Sequence, residues 1–569
     1  MEIRPASSAD SVEIGPGHGI GRRVLAGAIG AALTACAAGV QAQGTIVPTP
    51  TRPSPALPSA DPPTRPGATP GTPSDPFGGT RAPAAAAGDG GDTRSLVIQP
   101  GVGARYTWSD NIDLRPKGLE KPGSIVEIYP FVRAEYAGAA GFGYLNYQLR
   151  GLKYYGSDFF DHDVRNDLRA TGDASIAGDL LRVSALAQVF DVNRTPFGVG
   201  SFDAAGRTLD RTTYKRFDVS PYSYGRPTES TEFVLRYRLT YSDPGSSYAS
   251  NVGNILSGEL GSIAGRGRWG WLARVESAQY SYDNDFDYRN SIGELFALYA
   301  PLTTLQLGAG VNYSTSNVLV DSDGKDAGFG PSLRAAWNPD QATLLSTRWS
   351  KTYYSDQVQI QGSRTEGRMR FGATFDKGVR DGNQATILYY DPLRLFSIRN
   401  PYGAAPVGGS ASIRTSPGYV DLGSAAGAPL IGSGLQSPLL EVEALVVTAE
   451  YVGVRNGMLA TVFVNNQRSP IAVPGFSARP GVDQRGLLAR YSFRVDPRNI
   501  VALDGRYQLS DAIDASGTST LTSVGLEWRS QVTRQLTSTV VARATRQRGT
   551  GTTPEYDERG LGAGFEYRF

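Results

Sequence analysis

The segment Asp161-His162-Asp163 has the residue types of an acid–base catalyst, because a histidine beside a carboxylate can transfer protons in a hydrolase. Residues that are adjacent in a chain, however, rarely have the mutual geometry that a catalytic pair requires. The chain contains 2 histidines, and the other one, His18, lies near its beginning. We therefore predict that the protein is not an enzyme, has no catalytic residue and binds no cofactor. A hydrolase that uses His162 is the alternative.

Aspartates are concentrated in three short segments that could bind a divalent cation. Alternate carboxylates around a glycine, as in Asp321-Ser322-Asp323-Gly324, supply the oxygen ligands that Ca²⁺ prefers. The sequence has no complete twelve-residue calcium loop of the usual pattern. We therefore interpret these residues as solvated loop charges and predict no metal site. The three segments contain Asp158, Asp161 and Asp163; Asp283, Asp285 and Asp287; and Asp321, Asp323 and Asp326.

The clearest sign of the secondary structure that positions these residues is an alternating aromatic pattern at the C-terminus. Phe565, Tyr567 and Phe569 point to one side of a strand, because successive side chains alternate between its two faces. Such an aromatic face is favourable where lipid covers it, as on the outside of a transmembrane β-barrel. The ending resembles the C-terminal signal strand that the bacterial outer-membrane assembly machinery recognises. We predict that these three residues form the assembly signal, with an ordinary amphipathic edge strand as the alternative.

The N-terminal residues 1–42 have the pattern of a secretory signal peptide. Arg22 and Arg23 precede the apolar, small-residue run from Val24 to Val40, and Ala42 ends a typical cleavage site. The 17 residues of this run are only weakly hydrophobic, which disfavours a retained membrane helix. Cys36 also fits a lipoprotein signal, although an ordinary cysteine in the apolar run is the interpretation we prefer. A twin-arginine signal matches the flanking residues poorly.

Residues 43–95 form a segment of different composition. It holds 12 of the 36 prolines, and its four arginines balance four aspartates. Such a segment cannot bury enough apolar surface to offset the entropy lost on ordering. We predict a disordered periplasmic linker, with binding to a periplasmic partner or to peptidoglycan as the alternative.

From residue 96 to residue 569 the hydrophobic pattern has a period of two, as expected for β-strands. In one typical stretch Phe233, Leu235, Tyr237, Leu239 and Tyr241 alternate with Glu232, Arg236, Arg238 and Thr240. The apolar set can face lipid, whereas an arginine in the middle of a bilayer costs about 2–4 kcal/mol and must face water or another charge. The chain contains 1 cysteine, so the fold cannot rely on disulfide bonds, and mean hydropathy is negative at −0.27.

Clusters of turn-forming residues separate the strands into hairpins. Ten tight turns, most of them about 35 to 50 residues apart, alternate with longer loops. We predict an all-β, antiparallel, up-and-down transmembrane barrel of about 22 strands (18–22), in which the stretch from Tyr353 to Val379 is ambiguous. The predicted turns lie at Gly138–Gly141, Ala177–Asp179, Arg226–Ser230, Gly265–Trp269, Ala300–Thr303, Asn338–Gln341, Asp381–Asn383, Val454–Gly457, Asp496–Asn499 and Thr533–Gln535.

The longest predicted loop covers residues 391–438 and is rich in Gly, Ser, Ala and Pro. It is too long for a simple connection in a compact domain. We predict that it folds into the barrel mouth as a constriction, with an idle surface loop as the alternative.

Charged residues that alternate with the apolar set are predicted to line the lumen. Their mixed signs indicate a hydrated lumen crossed by ion pairs rather than one that is strongly selective for anions or cations. The alternative is that the ion pairs brace a wide barrel that conducts nothing. The candidates are Arg150, Arg182, Arg236, Arg274, Arg334, Arg490, Arg506, Arg543, Glu232, Glu276, Asp504 and Glu527.

The opening hairpin contains Ile98-Gln99-Pro100-Gly101-Val102-Gly103 and Trp108-Ser109-Asp110-Asn111-Ile112, and Pro130 interrupts the strand Val126–Tyr136. With the barrel layout, these motifs resemble the outer-membrane β-barrel proteins encoded beside bacterial exopolysaccharide and PEP-CTERM sorting genes. The resemblance implies a role near polysaccharide export in the Gram-negative outer membrane, and it provides no catalytic residues.

We therefore expect a passive, porin-like outer-membrane channel, linked to exopolysaccharide export, in which Tyr129, Tyr154 and Tyr224 could stack on sugar rings. One alternative is a non-conducting barrel that anchors an envelope or polysaccharide-secretion complex. A gated transporter is disfavoured, because a barrel of this size would need a folded plug that residues 43–95 cannot supply. Expected partners are outer-membrane lipid, lipopolysaccharide, the outer-membrane assembly machinery, and polysaccharide or export-complex proteins. Divalent cations could link the phosphates of lipopolysaccharide to the acidic loops. The net charge of +2 without a basic block disfavours nucleic acid.

Overall fold

The computed structural model describes thirteen stretches of the chain. They are residues 95–138, 141–177, 180–193, 211–245, 249–262, 268–320, 323–340, 342–381, 439–453, 455–469, 481–513, 517–550 and 555–569. The predicted signal peptide, almost all of the predicted linker and the long loop 391–438 lie outside these residues. Within the described stretches every long element is a β-strand, and no helix is apolar and long enough to cross a bilayer.

The period-two pattern forms 22 strands. They are β1 Ser95–Ser109, β2 Gly123–Gly138, β3 Gly141–Tyr155, β4 His162–Ala177, β5 Leu181–Asn193, β6 Arg211–Thr228, β7 Thr231–Asp243, β8 Asn251–Ser262, β9 Trp269–Tyr282, β10 Asp287–Leu302, β11 Leu305–Ser316, β12 Ala327–Asp340, β13 Thr343–Lys351, β14 Asp356–Glu366, β15 Met369–Asp381, β16 Leu439–Val452, β17 Asn456–Arg468, β18 Val482–Arg494, β19 Asn499–Ala512, β20 Thr518–Gln531, β21 Leu536–Gly549 and β22 Tyr556–Arg568.

The sheet closes on itself. Each strand pairs antiparallel with the next, and β1 pairs with β22 over the register from Gly101–Arg568 to Ser109–Gly560. Closure satisfies the backbone groups that the first and last strands of an open sheet would leave unpaired. The predicted all-β, up-and-down barrel of 22 strands is therefore confirmed.

The connections fall into two classes, one at each end of the barrel. Short turns join β2 to β3, β4 to β5 and so on, whereas longer loops join the strands at the opposite end. One predicted turn, Asp381–Asn383, is wrong, because Asp381 ends β15 at the end of the barrel that carries the long loops. The tight turn lies instead at Gly367, whose φ of 57° is left-handed and favours glycine. The ambiguous stretch resolves into β14 and β15 around this turn.

The two faces of the wall differ in composition and exposure. On β7 Leu235, Leu239 and Tyr241 are exposed, whereas Arg236 and Thr240 between them are buried. Side chains on the convex outside of a barrel diverge and stay exposed, and those on the concave inside converge and cover one another. The exposed apolar set therefore forms the outer face and the buried polar set the inner face, as the alternation requires.

Glycines on β1 make room for large rings on the inner face. A Cβ at Gly103 would overlap the ring of Tyr129, and one at Gly101 would overlap the ring of Phe131. The β1–β2 register places both rings opposite these glycines. The glycines thus let bulky aromatic side chains of β2 lie flat against the inner wall beside the closing seam.

Candidate functional site: the polar lumen

The inner face of β4 to β7 carries a buried charged cluster around Asp173. Arg182 Nε donates to Asp173 Oδ1 at 2.8 Å, and the Tyr222 hydroxyl donates to Asp173 Oδ2 at 2.8 Å. The guanidinium of Arg236 lies over the Tyr222 ring, 4.6 Å from its centroid. The register makes these residues cross-strand neighbours, so alternation on four consecutive strands is enough to assemble the cluster. Asp173 was not among the sequence candidates.

A second cluster is centred on Glu294 of β10. Arg348 Nη2 lies 2.6 Å from Glu294 Oε2, and Arg274 Nη1 lies 3.6 Å from the same oxygen. Ser350 Oγ and Ser332 Oγ donate to Glu294 Oε1 at 2.6 and 3.3 Å. The Glu294 side chain is only 1% exposed. Ion pairs and hydroxyl donors together stabilise its negative charge where water has little access.

Arg274 extends this Glu294 cluster toward β8. Its guanidinium lies 3.0 Å from Glu276 and 3.4 Å from Glu259. Arg334, another sequence candidate, places its guanidinium over the Phe296 ring at 5.8 Å. The sequence alone did not single out Glu259, Glu294 or Arg348, because their importance depends on which strands are neighbours.

The third group lies on the inner face of β18 to β21. Arg490 Nη2 donates to Glu527 at 2.9 Å, and Arg543 Nη2 lies 3.1 Å from Asp504. Arg506 donates a hydrogen bond to the glutamine two residues later on its own strand. Each candidate arginine in this arc is thus held by an oxygen of the inner face rather than by bulk solvent.

The remaining candidates lie on β3 and β7. Arg150 is ion-paired with Glu127, which is buried on β2. Glu232 lies on the inner face at the short-turn end of β7, half-buried. The structure therefore distributes the twelve candidates over several separate clusters and does not bring them together at one point.

One arc of the inner face is apolar, which the sequence did not indicate. The buried residues on β16 and β17 that form this arc are Leu440, Val442, Ala444 and Phe463, with Val446 packed against them. Here the alternation is hidden, because apolar residues occupy both faces of β16. A solute in the lumen would meet charges on three arcs and hydrocarbon on the fourth.

Aromatic and aliphatic side chains from β8 to β16 pack into one buried cluster at the loop end of the barrel. The cluster comprises Ile255, Ala278, Tyr280, Tyr282, Tyr288, Leu319, Val379 and Leu439, with Phe286 and Tyr354 packed against it. Leu319 belongs to the loop after β11, and its carbonyl accepts a hydrogen bond from the Tyr353 hydroxyl at 2.8 Å. Burial raises the pKa of the Tyr353 hydroxyl, which therefore stays a neutral donor. We call this group the mouth cluster.

Two of the three tyrosines proposed to stack on sugars lie on the inner face with further aromatic rings. Tyr129 lies beside Phe131, with ring centroids 6.4 Å apart. Tyr224 stacks beside Tyr222 at 6.4 Å and an interplanar angle of 24°. Phe131 and Tyr222 are buried, so within each pair only the half-buried tyrosine, Tyr129 or Tyr224, could contact a sugar ring.

Tyr154 does not fit the proposed role. It is only 4% exposed and packs with Phe160 of the following loop, with ring centroids 6.0 Å apart. Its hydroxyl accepts a hydrogen bond from Arg165 Nη2 at 2.8 Å. This tyrosine anchors a loop and leaves no free ring face, which corrects the expectation from the sequence.

The carboxylates beside His162 are engaged elsewhere. His162 Nδ1 lies 3.4 Å from Asp161 Oδ2 in an exposed position. Lys153 also contacts Asp161, and its hydrogen bond, followed by that of His162, lowers the pKa of this carboxyl. Asp163 accepts from Arg165 Nε at 2.8 Å. The arrangement resembles exposed ion pairs more than an oriented catalytic pair.

The acidic loop segments do not converge in the part of the chain that the structure describes. Among those residues no group of three or more His, Cys, Asp or Glu side chains is arranged to hold a metal ion. Asp323 lies 3.4 Å from Lys325, whereas Asp321 is outside the described residues.

Three solved structures are similar to this chain at low sequence identity. The FrpB iron transporter from Neisseria meningitidis (F5-1 variant) is 12% identical, over 83% of this chain and 82% of that chain, with a TM-score of 0.43. A BenF-like porin from Pseudomonas fluorescens Pf-5 is 10% identical, over 83% and 99%, with a TM-score of 0.32. OpdK from Pseudomonas aeruginosa, solved with vanillate, is 9% identical, over 83% and 99%, with a TM-score of 0.31. No protein-family profile and no curated protein matches the chain. Similarity at this level supports no argument about function.

Proposed function

We propose that this protein is a passive, porin-like channel of the Gram-negative outer membrane that admits hydrophilic solutes. The observation that carries the proposal is the contrast between the two faces of one closed wall. Exposed apolar side chains cover the outer face around the barrel, far beyond the few hundred Å² usual for a soluble monomer. Lipid is the covering that suits such a face, and the charged inner face then borders water.

The solute class that we propose is an oligosaccharide or a fragment of a secreted polysaccharide. Tyr224 is the half-buried ring of the Tyr222–Tyr224 pair and is the one that we propose contacts a sugar, because Tyr222 is buried beneath Arg236. The mixed charges of the lumen suit a polar solute with little net charge better than a strongly charged one. The resemblance to exopolysaccharide-associated barrels supports the same class.

A non-conducting structural barrel is the second candidate, and two observations favour it. Arg348 and Glu294 link strands that are not neighbours, and the mouth cluster packs together at the loop end of the barrel. Such a barrel would anchor an envelope complex, for which residues 43–95 would be the tether. Assembly into the membrane through Phe565, Tyr567 and Phe569 is common to both candidates.

Conductance of the purified, refolded barrel in planar lipid bilayers tests the proposal. A channel gives discrete, reproducible current steps in 1 M KCl, and a braced or blocked barrel gives none. An unrelated preparation from the same host without the barrel is the control for contaminating porins. Silence from protein that resists unfolding at room temperature in electrophoresis would reject the channel in favour of the structural barrel.

A further inference from the structure

Three arginines lie together on the outer face of β21 and β22, at the end that carries the long loops. Arg546 lies directly opposite Asp557 in the register, and Arg559 lies opposite Ala544. Arg546 and Arg559 are thus diagonal neighbours, about 7–8 Å apart at their Cα atoms. Arg548 follows on the same face of β21. We call Arg546, Arg548 and Arg559 the basic patch.

Within the described stretches, the arginines of the patch make side-chain ion pairs with one carboxylate only, Asp557, although Glu555 and Asp110 also lie near this end. Arg548 Nη2 lies 2.9 Å from Asp557, and Arg546 Nε lies 3.5 Å from the same residue, so two guanidiniums share one carboxylate. Arg559 is exposed, and its side chain makes no hydrogen bond or ion pair with the described part of the chain. Asp110 accepts from the backbone NH of Arg559, and Lys117 of the same loop adds a further positive charge near Asp557.

Elsewhere on the outer face near this end, three cationic side chains each have a carboxylate partner. Lys215 lies 2.8 Å from Asp243, Lys377 lies 3.7 Å from Glu443, and Arg485 lies 3.9 Å from Asp511. These pairs neutralise themselves and need no external anion. The sharing of one carboxylate by two arginines at β21 and β22 differs from this arrangement.

Immediately toward the short-turn end, the same face is apolar. Leu561 is 56% exposed, Val540 is 45% exposed, and Trp108 lies beside Leu561 in the register. A ligand that fits this surface must carry anionic groups directly above hydrocarbon chains. Among outer-membrane components, a phosphorylated glycolipid with acyl chains meets both conditions, because its phosphates lie at the boundary between sugar and hydrocarbon.

We propose that the basic patch binds the phosphate groups of lipopolysaccharide. Arginine forks match phosphate oxygens in bidentate geometry, and Arg546, which is 64% exposed, is free to turn toward such a group. The acyl chains then lie along Leu561 and Val540. The inference rests on the outer-membrane position proposed above, but it needs no open lumen.

The test measures lipopolysaccharide bound to the full-length, refolded barrel in detergent micelles. The triple variant Arg546→Gln, Arg548→Gln, Arg559→Gln is expected to lose at least about tenfold in affinity, since two or three charge-assisted contacts disappear. Arg485→Gln, which removes a balanced outer-face pair, is the matched control and is expected to stay within about twofold. Equal binding by the triple variant and the control would overturn the proposal.

Three further arms identify the ligand. Lipopolysaccharide treated with phosphatase is expected to bind as weakly as the triple variant does, and undiminished binding would exclude a phosphate contact. Inorganic phosphate at millimolar concentration is expected not to displace the glycolipid; full displacement would mean that free phosphate is the true ligand. Binding is expected to persist in EDTA. Loss of binding in EDTA would overturn the direct guanidinium contact, because it would show that a divalent cation bridges the protein and the phosphate.

Two measurements keep the outcome interpretable. Arg559→Gln alone removes an arginine whose side chain has no partner among the described residues. This single variant is expected to lower the affinity for lipopolysaccharide about threefold, and it still tests the proposal if the triple variant does not fold. Single-channel recordings in bilayers free of lipopolysaccharide are expected to be identical for wild type and variants. Failure of the channel proposal would therefore appear in the wild type, independently of the basic patch.

Discussion

Arg348 of β13 lies 2.6 Å from Glu294 of β10, although two whole strands separate the two residues around the wall. Long side chains that converge on the inside of the barrel make this contact possible. Ser350 and Ser332 donate hydrogen bonds to Oε1 of this carboxylate, whereas its Oε2 faces the guanidiniums of Arg348 and Arg274. The pair thus ties a four-strand arc together.

Glu294→Gln is expected to leave Arg348 and Arg274 without their central carboxylate. Removing one partner of a buried ion pair typically costs about 3–5 kcal/mol. The free energy of unfolding in urea, followed by electrophoretic mobility, measures the loss. In a KCl gradient the reversal potential is expected to shift toward anion preference, because positive charge is left in excess.

Glu443→Gln is the matched control for this change. Glu443 lies on the outer face, 42% exposed, and pairs with Lys377 at 3.7 Å. An exposed pair of this kind contributes roughly 0–1 kcal/mol. Equal destabilisation by the two variants would show that Glu294 is no more important than a surface carboxylate.

Much of the fold followed from local pattern, whereas the partners of the charged residues did not. Alternation alone indicated that Arg182 and Arg490 face inward, because a strand offers only two directions. It could not pair Arg182 with Asp173 or Arg490 with Glu527, since those contacts depend on the register between strands. Register is set by closure of the whole sheet, which no single segment encodes.

Two further features show where local reasoning fails. Asp381–Asn383 has turn chemistry, but the same residue types suit the start of a long loop, and only the length of β14 and β15 distinguishes these cases. Glu294 was missed because its face of β10 also carries Ile292 and Phe296, so polar and apolar residues are mixed there. A lumen that is partly apolar weakens the alternation on which the prediction depends.

Gly103→Ala is expected to destabilise the closing seam, because the new methyl group would overlap the ring of Tyr129. Overpacking of this kind costs about 1–3 kcal/mol. Gly505→Ala is the control, since a Cβ at that glycine meets open space. Urea unfolding of both variants should show a loss for Gly103→Ala only; a similar loss in both would indicate a backbone effect instead of ring packing.

Loop contacts at the outer end are expected to resist mild acid. Asp158 contacts Lys121 and Arg115, and the hydrogen bond from Lys121, chiefly, lowers the pKa of this carboxyl below 3.8. A lowered folded-state pKa gives stability that is present above the unfolded value and disappears as the pH falls through the folded value. Spin labels on the loops after β1 and β3 should therefore keep their distance from pH 7 to about pH 4.5 and separate only below the ordinary value of 3.8.

Asp158→Asn provides the comparison for these loops. The amide cannot ionise, so the label distance is expected to be longer and the same at every pH. A wild-type transition near pH 5 would contradict the lowered pKa, and a transition that persists in Asp158→Asn would assign it to another group.

Tyr224→Leu is expected to weaken the interaction of a neutral linear hexasaccharide with the lumen. The substitution keeps an apolar side chain beside Tyr222 but removes one ring of the stacked pair. If a sugar face stacks with the energy of an aromatic pair, about 0.5–1.5 kcal/mol is lost, or roughly two- to tenfold in affinity. Residence times of the sugar in single-channel recordings measure the change.

Tyr507→Leu, which removes an exposed ring from the outer face, is the control and should leave the residence times unaltered. Unchanged residence times in Tyr224→Leu would show that this ring does not contact the sugar. The conductance of the same channels would still report whether the lumen is open.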